Sequence, residues 1–240
     1  MPVAGSFKTE AVVLRSIRYG EADRVLHLYS ADRGRIGAMA KGVRRTRSRM
    51  GGRLEPLSRV RLVLRQGRGD LSTVSGVDTI SAHPGLRERR ASLERASQAC
   101  ESVLRLLDSG EPNAAAYHLL CNQLALLDAD PEAATRAQSL AFRLKLLLAS
   151  GFAPELASCA TCGEADHFAG FSPSAGGVVC ASCEAGSFPL GAEAHGFLVS
   201  ALGQPLSDAP RASDVALGQA DRAIGETLEH HAHVRLRRVA

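Results

Sequence analysis

The apolar residues of this chain change period once, near residue 83, and that change decides what it can fold into. From Arg59 to Arg65, Val60, Leu62 and Leu64 alternate with Arg59, Arg61 and Arg65, the period of two of a strand with one buried and one solvated face. Four more strands are expected at Glu10 to Ile17, Arg24 to Ser30, Arg35 to Lys41 and Leu71 to Ile80. Tyr19-Gly20, Asp32-Arg33-Gly34, Gly51-Gly52 and Gly67-Arg68-Gly69 mark the turns around them. Beyond Pro84 the period becomes helical. Leu93, Ala96, Cys100, Val103, Leu104 and Leu107 share one stripe, and Leu120, Leu124 and Leu127 a second.

A third stripe, Leu140, Leu144, Leu147 and Leu148, is expected to start at Asp130 as N-cap with Pro131 at the first helical position, and to stop at Gly151 before Pro154. Helices are also expected from Ala192 to Leu202 and from Ala212 to His233. Three leucine stripes imply a bundle that buries them together. Five short strands in the first 82 residues suit a small closed barrel of the OB-fold type, whose exposed strand face and loops bind oligonucleotides and oligosaccharides. The expected class is therefore α+β and multidomain. An OB-fold β-barrel at 1–82 precedes an α-helical domain at 83–155 and 191–240, into which a four-cysteine zinc module is inserted at 156–190.

Charge separates the parts in the same way. Residues 1–80 hold 16 Lys and Arg against 7 Asp and Glu, and the rest hold 13 against 18, so a net +9 precedes a net −5. With 26 Arg and only 3 Lys, coding bias explains some of the arginine but not its uneven placement. A basic first domain points to a polyanion. Its densest run is Lys41, Arg44, Arg45, Arg47 and Arg49, with Arg53 just beyond, in the loop between strands three and four. Arg18, Arg24, Arg33 and Arg35 are expected to join it on the DNA-binding surface. Aromatics are few here: Phe7, Tyr19 and Tyr29, the last readable as barrel core or as a stacking residue at the rim. Binding should then rest mainly on phosphates, with little sequence preference, strong salt dependence and access to single and double strands.

Cys159-Ala-Thr-Cys162 and Cys180-Ala-Ser-Cys183, with 17 residues between the pairs, match the spacing of a zinc site. Four thiolates close a tetrahedron and leave no open position, so the ion is expected to be structural zinc. His167 is read as an exposed loop residue and not a fifth ligand. Cys100 and Cys121 fall in helical segments and read as small buried apolar residues. His230, His231 and His233 cannot share one helical face. Arg235, Arg237 and Arg238 could join a DNA surface or pair with acidic helices.

No stretch reaches the 18 or more apolar residues of a membrane helix, and Met1 to Arg15 lacks a signal-peptide core, so a cytoplasmic protein is expected. Phosphate-loop, nucleophile-elbow, zinc-protease and deaminase signatures are missing, which favours a non-enzymatic role. A zinc-stabilised adaptor in transcription or RNA metabolism remains open, as does an enzyme with a divergent metal-assisted phosphodiesterase site.

The ordered set Gly20-Glu21-Ala22-Asp23-Arg24, Asp32-Arg33-Gly34, Ala40-Lys41-Gly42-Val43-Arg44-Arg45, Leu54-Glu55-Pro56, Gly151-Phe152-Ala153-Pro154-Glu155-Leu156, Cys159-Ala-Thr-Cys162-Gly163 and Val234-Arg235-Leu236-Arg237 resembles the bacterial DNA-repair and recombination mediator family RecO. The resemblance covers nearly the whole chain. It implies a non-enzymatic protein that binds single- and double-stranded DNA and anneals complementary strands. It further implies contact with the acidic C-terminal tail of single-stranded DNA-binding protein and, with the partner RecR, help in loading RecA. A cationic rim over an apolar groove would suit such a tail. The third helix is the expected place, with Arg143 and Lys145 as rim cations beside Leu144 and Leu148.

Overall fold

The computed structural model describes residues 5–48, 50–67, 69–108 and 110–239. Two compact units divide the chain after Pro131. The first contains β1 (Ser6–Tyr19), β2 (Asp23–Ser30), β3 (Gly34–Ala40), β4 (Arg59–Arg65) and β5 (Leu71–Ser81), followed by α1 (Pro84–Glu88), α2 (Arg90–Leu106) and α3 (Ala114–Ala129). The second contains α4 (Arg136–Ala149), β6 (Phe168–Ser172), β7 (Gly177–Cys180), β8 (Phe188–Pro189), α5 (Ala192–Gly203) and α6 (Asp214–His231).

The five strands close into a barrel in the order β1-β2-β3-β5-β4, as an OB-fold requires. β1 is long enough to pair antiparallel with β2 through one half and with β4 through the other. A bulge between Val13 and Arg15 bends it to do so. Alternation decides the interior: Val60, Leu62 and Leu64 are fully buried with Ala11, Val13, Leu26 and Leu28, while Arg61 and Arg65 face water. Closure is completed by the parallel pairing of β3 with β5, which has only three residue pairs, Gly37 with Leu71, Ala38 with Ser72 and Met39 with Thr73. Gly34 turns the chain into β3 at φ 61°, and a Cβ there would sit inside the Glu111 carbonyl, so both the turn and the close approach need glycine.

The first two leucine stripes fall in the first unit and the third in the second. α2 packs on α1, α3 and β1, and α3 also reaches β2, so the first two stripes cover the barrel. α4 packs instead on α5 and α6. The expected start of α4 is also displaced. Thr135, not Asp130, is its N-cap: the Thr135 hydroxyl accepts the Gln138 N–H at 3.1 Å, while Asp130 ends α3 and Pro131 starts a separate 3-10 turn. Both candidates fit the local sequence. The better-placed hydroxyl three residues before Gln138 takes the cap. At the far end Gly151 adopts φ 79° and stops the helix as expected. Among the described residues no helix is long and apolar enough to cross a membrane.

Candidate metal centre and nucleic-acid interface

The cysteine module is a three-stranded sheet, order β7-β6-β8, with a knuckle on each side. In the first knuckle Gly163, at φ 80°, donates its N–H to the Cys159 carbonyl at 2.8 Å, turning Cys162 back over Cys159. In the second, Cys180 ends β7 and a single 3-10 turn, Ala181–Cys183, returns Cys183 to it. The Sγ atoms of Cys159, Cys162, Cys180 and Cys183 all lie within 4.8 Å of one another, with Cys162 and Cys180 at 3.7 Å. Sulfurs bound tetrahedrally at about 2.3 Å from one ion stand about 3.8 Å apart, so the spacing fits a closed four-thiolate centre.

Electrostatics makes the same demand. The backbone N–H groups of Cys162 and Cys180 point at the Cys159 sulfur and lower that thiol to about 6, whereas hydrogen bonding to Cys162 and burial push Cys183 up to about 12. Four sulfurs this close cannot all ionise unless a cation sits among them. His167 is exposed and stands outside the cluster. Cys100 and Cys121 are buried thiols, and desolvation drives Cys100 up to about 12, which leaves it unreactive.

The basic residues divide between the two ends of the barrel. At one end the β1–β2 turn is stitched to the start of the basic loop: Gly42 N–H donates to Asp23 at 2.6 Å, Arg44 N–H to the Ala22 carbonyl at 2.8 Å, and the Arg44 guanidinium to the Gly20 carbonyl at 3.4 Å. This brings Arg18, Arg24, Lys41, Arg44 and Arg45 together. Arg24 is half spent on Glu55 at 2.8 Å, and Arg53 donates to the Val77 carbonyl at 3.0 Å. Arg18, Lys41, Arg45 and Arg47 are exposed and enter no ion pair among the described residues. Arg49 lies outside the described residues.

Arg33 and Arg35 sit at the opposite end, six strand residues or about 20 Å from Lys41. Arg33 lies 4.0 Å over the Phe7 ring beside Asp32, and Arg35 donates to the Leu104 carbonyl at 2.6 Å. They line a cleft of about 840 Å³ with His27, Gly37, Asp70 and Leu71. Tyr29 is core: it is fully buried and its hydroxyl donates to the Asn113 carbonyl at 3.4 Å.

The four residues expected at a tail-binding groove are not one surface. Leu144 is fully buried and Leu148 is exposed. Arg143 is buried, 3.6 Å from Asp221 and donating to the Arg237 carbonyl at 2.7 Å, so the 234–239 segment lies over it. Lys145 donates to the Leu202 carbonyl at 2.7 Å. Sequence inspection missed Asp23 and Asp221, because an acidic residue in a basic segment or a polar helix gives no local sign of a distant partner.

Two family descriptions match in chain order, recombination protein O N terminal over residues 3–83 and recombination protein O C terminal over residues 91–239. The chain belongs to the RecO family. Among similar RecO proteins, the DNA repair protein RecO of Rubrobacter xylanophilus is 39% identical over 209 residues, 85% of this chain and 83% of that one. The DNA repair protein RecO of an Anaeromyxobacter species is 34% identical over 239 residues, 95% of this chain and 92% of its own. That of Bifidobacterium animalis subsp. lactis is 42% identical over 180 residues, 72% of each chain. The RecO match spans both the barrel and the cysteine module.

Proposed function

We propose that this protein is a non-enzymatic mediator of DNA repair and recombination. It binds single- and double-stranded DNA, anneals complementary strands, and with RecR helps load RecA on DNA coated by single-stranded DNA-binding protein. The observation that carries the reading is the group of exposed cations, Arg18, Lys41, Arg44, Arg45 and Arg47, held at one barrel end by the turn-to-loop hydrogen bonds. Such a surface neutralises phosphates on two strands at once and releases their counterions. Pairing then needs no bond-making chemistry. Arg24 and Arg53 add charge around it, while Arg33 and Arg35 serve a separate stretch of the path at the other end.

Zinc is the ion proposed for Cys159, Cys162, Cys180 and Cys183, as a structural centre that fixes both knuckles. A partner tail reaching α4 meets Leu148 and Lys145 first, and engages Arg143 only by displacing the 234–239 segment. The proposed setting is the cytoplasm, at the nucleoid.

The test is annealing of complementary oligonucleotides precoated with single-stranded DNA-binding protein, comparing the wild type with Arg44→Glu/Arg45→Glu over a salt series. Annealing by the wild type, lost in the variant and weakened by salt, is expected. A folded, zinc-loaded wild type that anneals nothing, or that prefers RNA, would send the function to RNA metabolism instead.

A further inference from the structure

The chain that leaves α6 folds back along it. His233 adopts a left-handed backbone at φ 55°, and the Ala232 and Val234 N–H groups both donate to the Leu228 carbonyl at 3.1 Å, which reverses the chain. The segment then runs towards the start of α6. Arg235 holds Glu229 through two nitrogens at 3.0 and 2.9 Å, the Arg237 carbonyl takes the Arg143 guanidinium at 2.7 Å, and the Val239 N–H donates to Asp221. Glu229 and Asp221 are eight helical residues apart, about 12 Å. Four residues span that distance only when nearly extended. Residues 233–239 form neither helix nor strand, so this strap is fastened by those contacts and by Val239, whose side chain is 1% exposed.

We propose that the 234–239 strap is an internal competitor for the partner-tail site on α4, keeping Arg143 occupied until an acidic peptide with a free C-terminal carboxylate displaces it. The proposal rests on the tail-binding reading above and concerns the regulation of that site. Besides Asp221 at 3.6 Å, Arg143 has the neutral Arg237 carbonyl as a partner. A carboxylate in the place of that carbonyl makes a charge-assisted bond, roughly twice as strong as a neutral one. An anion therefore outcompetes the strap where a neutral peptide does not.

Position selects the rest of the occupant. Val239 lies on Asp221 and Asp221 on Arg143, so an apolar last residue in the place of Val239 puts its own carboxylate within reach of Arg143. When Val239 leaves, Asp221 keeps Arg136 at 3.9 Å. Charge brings the peptide in. Arg237 and Arg238 are exposed, and Arg235, Leu236 and Arg238 edge a pocket of about 340 Å³ that reaches Arg143 and Asp221. The strap thus attracts the anion that unseats it. While it is closed, it lowers the apparent affinity by the fraction of molecules that are open.

Val239→Ser in the full-length chain loosens the strap and leaves Arg143 in place. A labelled peptide of aspartates ending in phenylalanine, followed by anisotropy, should bind this variant about five- to tenfold tighter than wild type. Arg235→Ala should also bind it more tightly, although attraction alone predicts weaker binding once a cation is lost. The same peptide with a C-terminal amide should lose the gain in both variants. Amide exchange gives an independent reading on the wild type, where saturating peptide should speed exchange at Val239. Unchanged or weaker binding by Val239→Ser, or a Val239 amide that stays protected in the saturated wild type, overturns the strap and leaves tail binding intact. No binding of the peptide by wild type or either variant, all folded by circular dichroism, overturns both.

Discussion

The Asp23 carboxylate accepts a 2.6 Å hydrogen bond from the Gly42 backbone N–H, and so an acidic side chain holds the basic loop in place. Two further contacts from Arg44 to the β1–β2 turn depend on the same register.

Asp23→Ala should therefore weaken DNA binding even though it removes a negative charge beside the cations. Electrostatics alone predicts the reverse. Loss of one charge-assisted bond to backbone should also cost about 1.5–3 kcal/mol of stability. Urea unfolding and anisotropy on the same preparation check both, and a gain in affinity would mean that the loop needs no anchor.

Metal removal is the second case. Reduced, metal-free protein should take up about one zinc ion per chain, with a rise in melting temperature as the ion is added. Cys159→Ser should lose most of that uptake, since Cys159 is the most deeply buried of the four cysteines and the one whose thiol is already held low. Uptake by the variant equal to wild type would place the metal elsewhere.

Arg143 and Asp221 form a pair with side chains only 7% and 4% exposed. Burial raises the Asp221 carboxyl above its ordinary range against the pull of Arg143 and Arg136, so desolvation outweighs the attraction. Arg143→Met and Asp221→Leu should each cost about 3–5 kcal/mol by leaving the other buried charge without its nearest opposite charge. The double variant should recover much of the loss. A double-mutant cycle by denaturant unfolding measures this, and strictly additive losses would show that the two do not interact.

Acid stability turns on His27. Burial first, then the positive charges of Arg15 and Arg35, holds its ring below the usual histidine range. Above pH ~6.5 the ring is neutral folded and unfolded, and it contributes no pH dependence. As the pH falls through that value the unfolded chain binds the proton first, so stability is lost until the native ring protonates at its lower pKa. His27→Gln should lose less stability than wild type between pH 7.5 and 5.5, read from urea midpoints. Identical slopes would remove His27 from the account.

Most of the barrel was legible because alternation is a local signal. Val60, Leu62 and Leu64 mark β4 with its bounds, and the glycine-bearing turns mark the other four strands to within a few residues. The cysteine cluster was legible for a similar reason, since its spacing alone brings two pairs of thiols onto two knuckles. The cation surface was legible only in part. Arg35 and Lys41 are close in sequence, yet β3 is extended between them and carries them to opposite ends of the barrel. Arg143 looked like an exposed rim residue because its partners, Asp221 and the Arg237 carbonyl, come from the far end of the chain. The course of the 234–239 segment was missed because it rests on two backbone groups, the Arg237 carbonyl and the Val239 N–H, that a side-chain pattern does not reveal.

β3 and β5 are joined by three residue pairs, far fewer than any other neighbours in the barrel. A closed sheet opens first along its weakest line, so thermal breathing of this barrel should begin between Gly37–Met39 and Leu71–Thr73. That line runs along the cleft lined by His27, Gly37, Leu71 and Ser72. A strand laid across it would act as a clasp, and amide exchange at these six residues would slow on binding even if no atom of the resting structure moved. Ligand and barrel would then share one fastening, with grip on DNA and resistance to opening rising together.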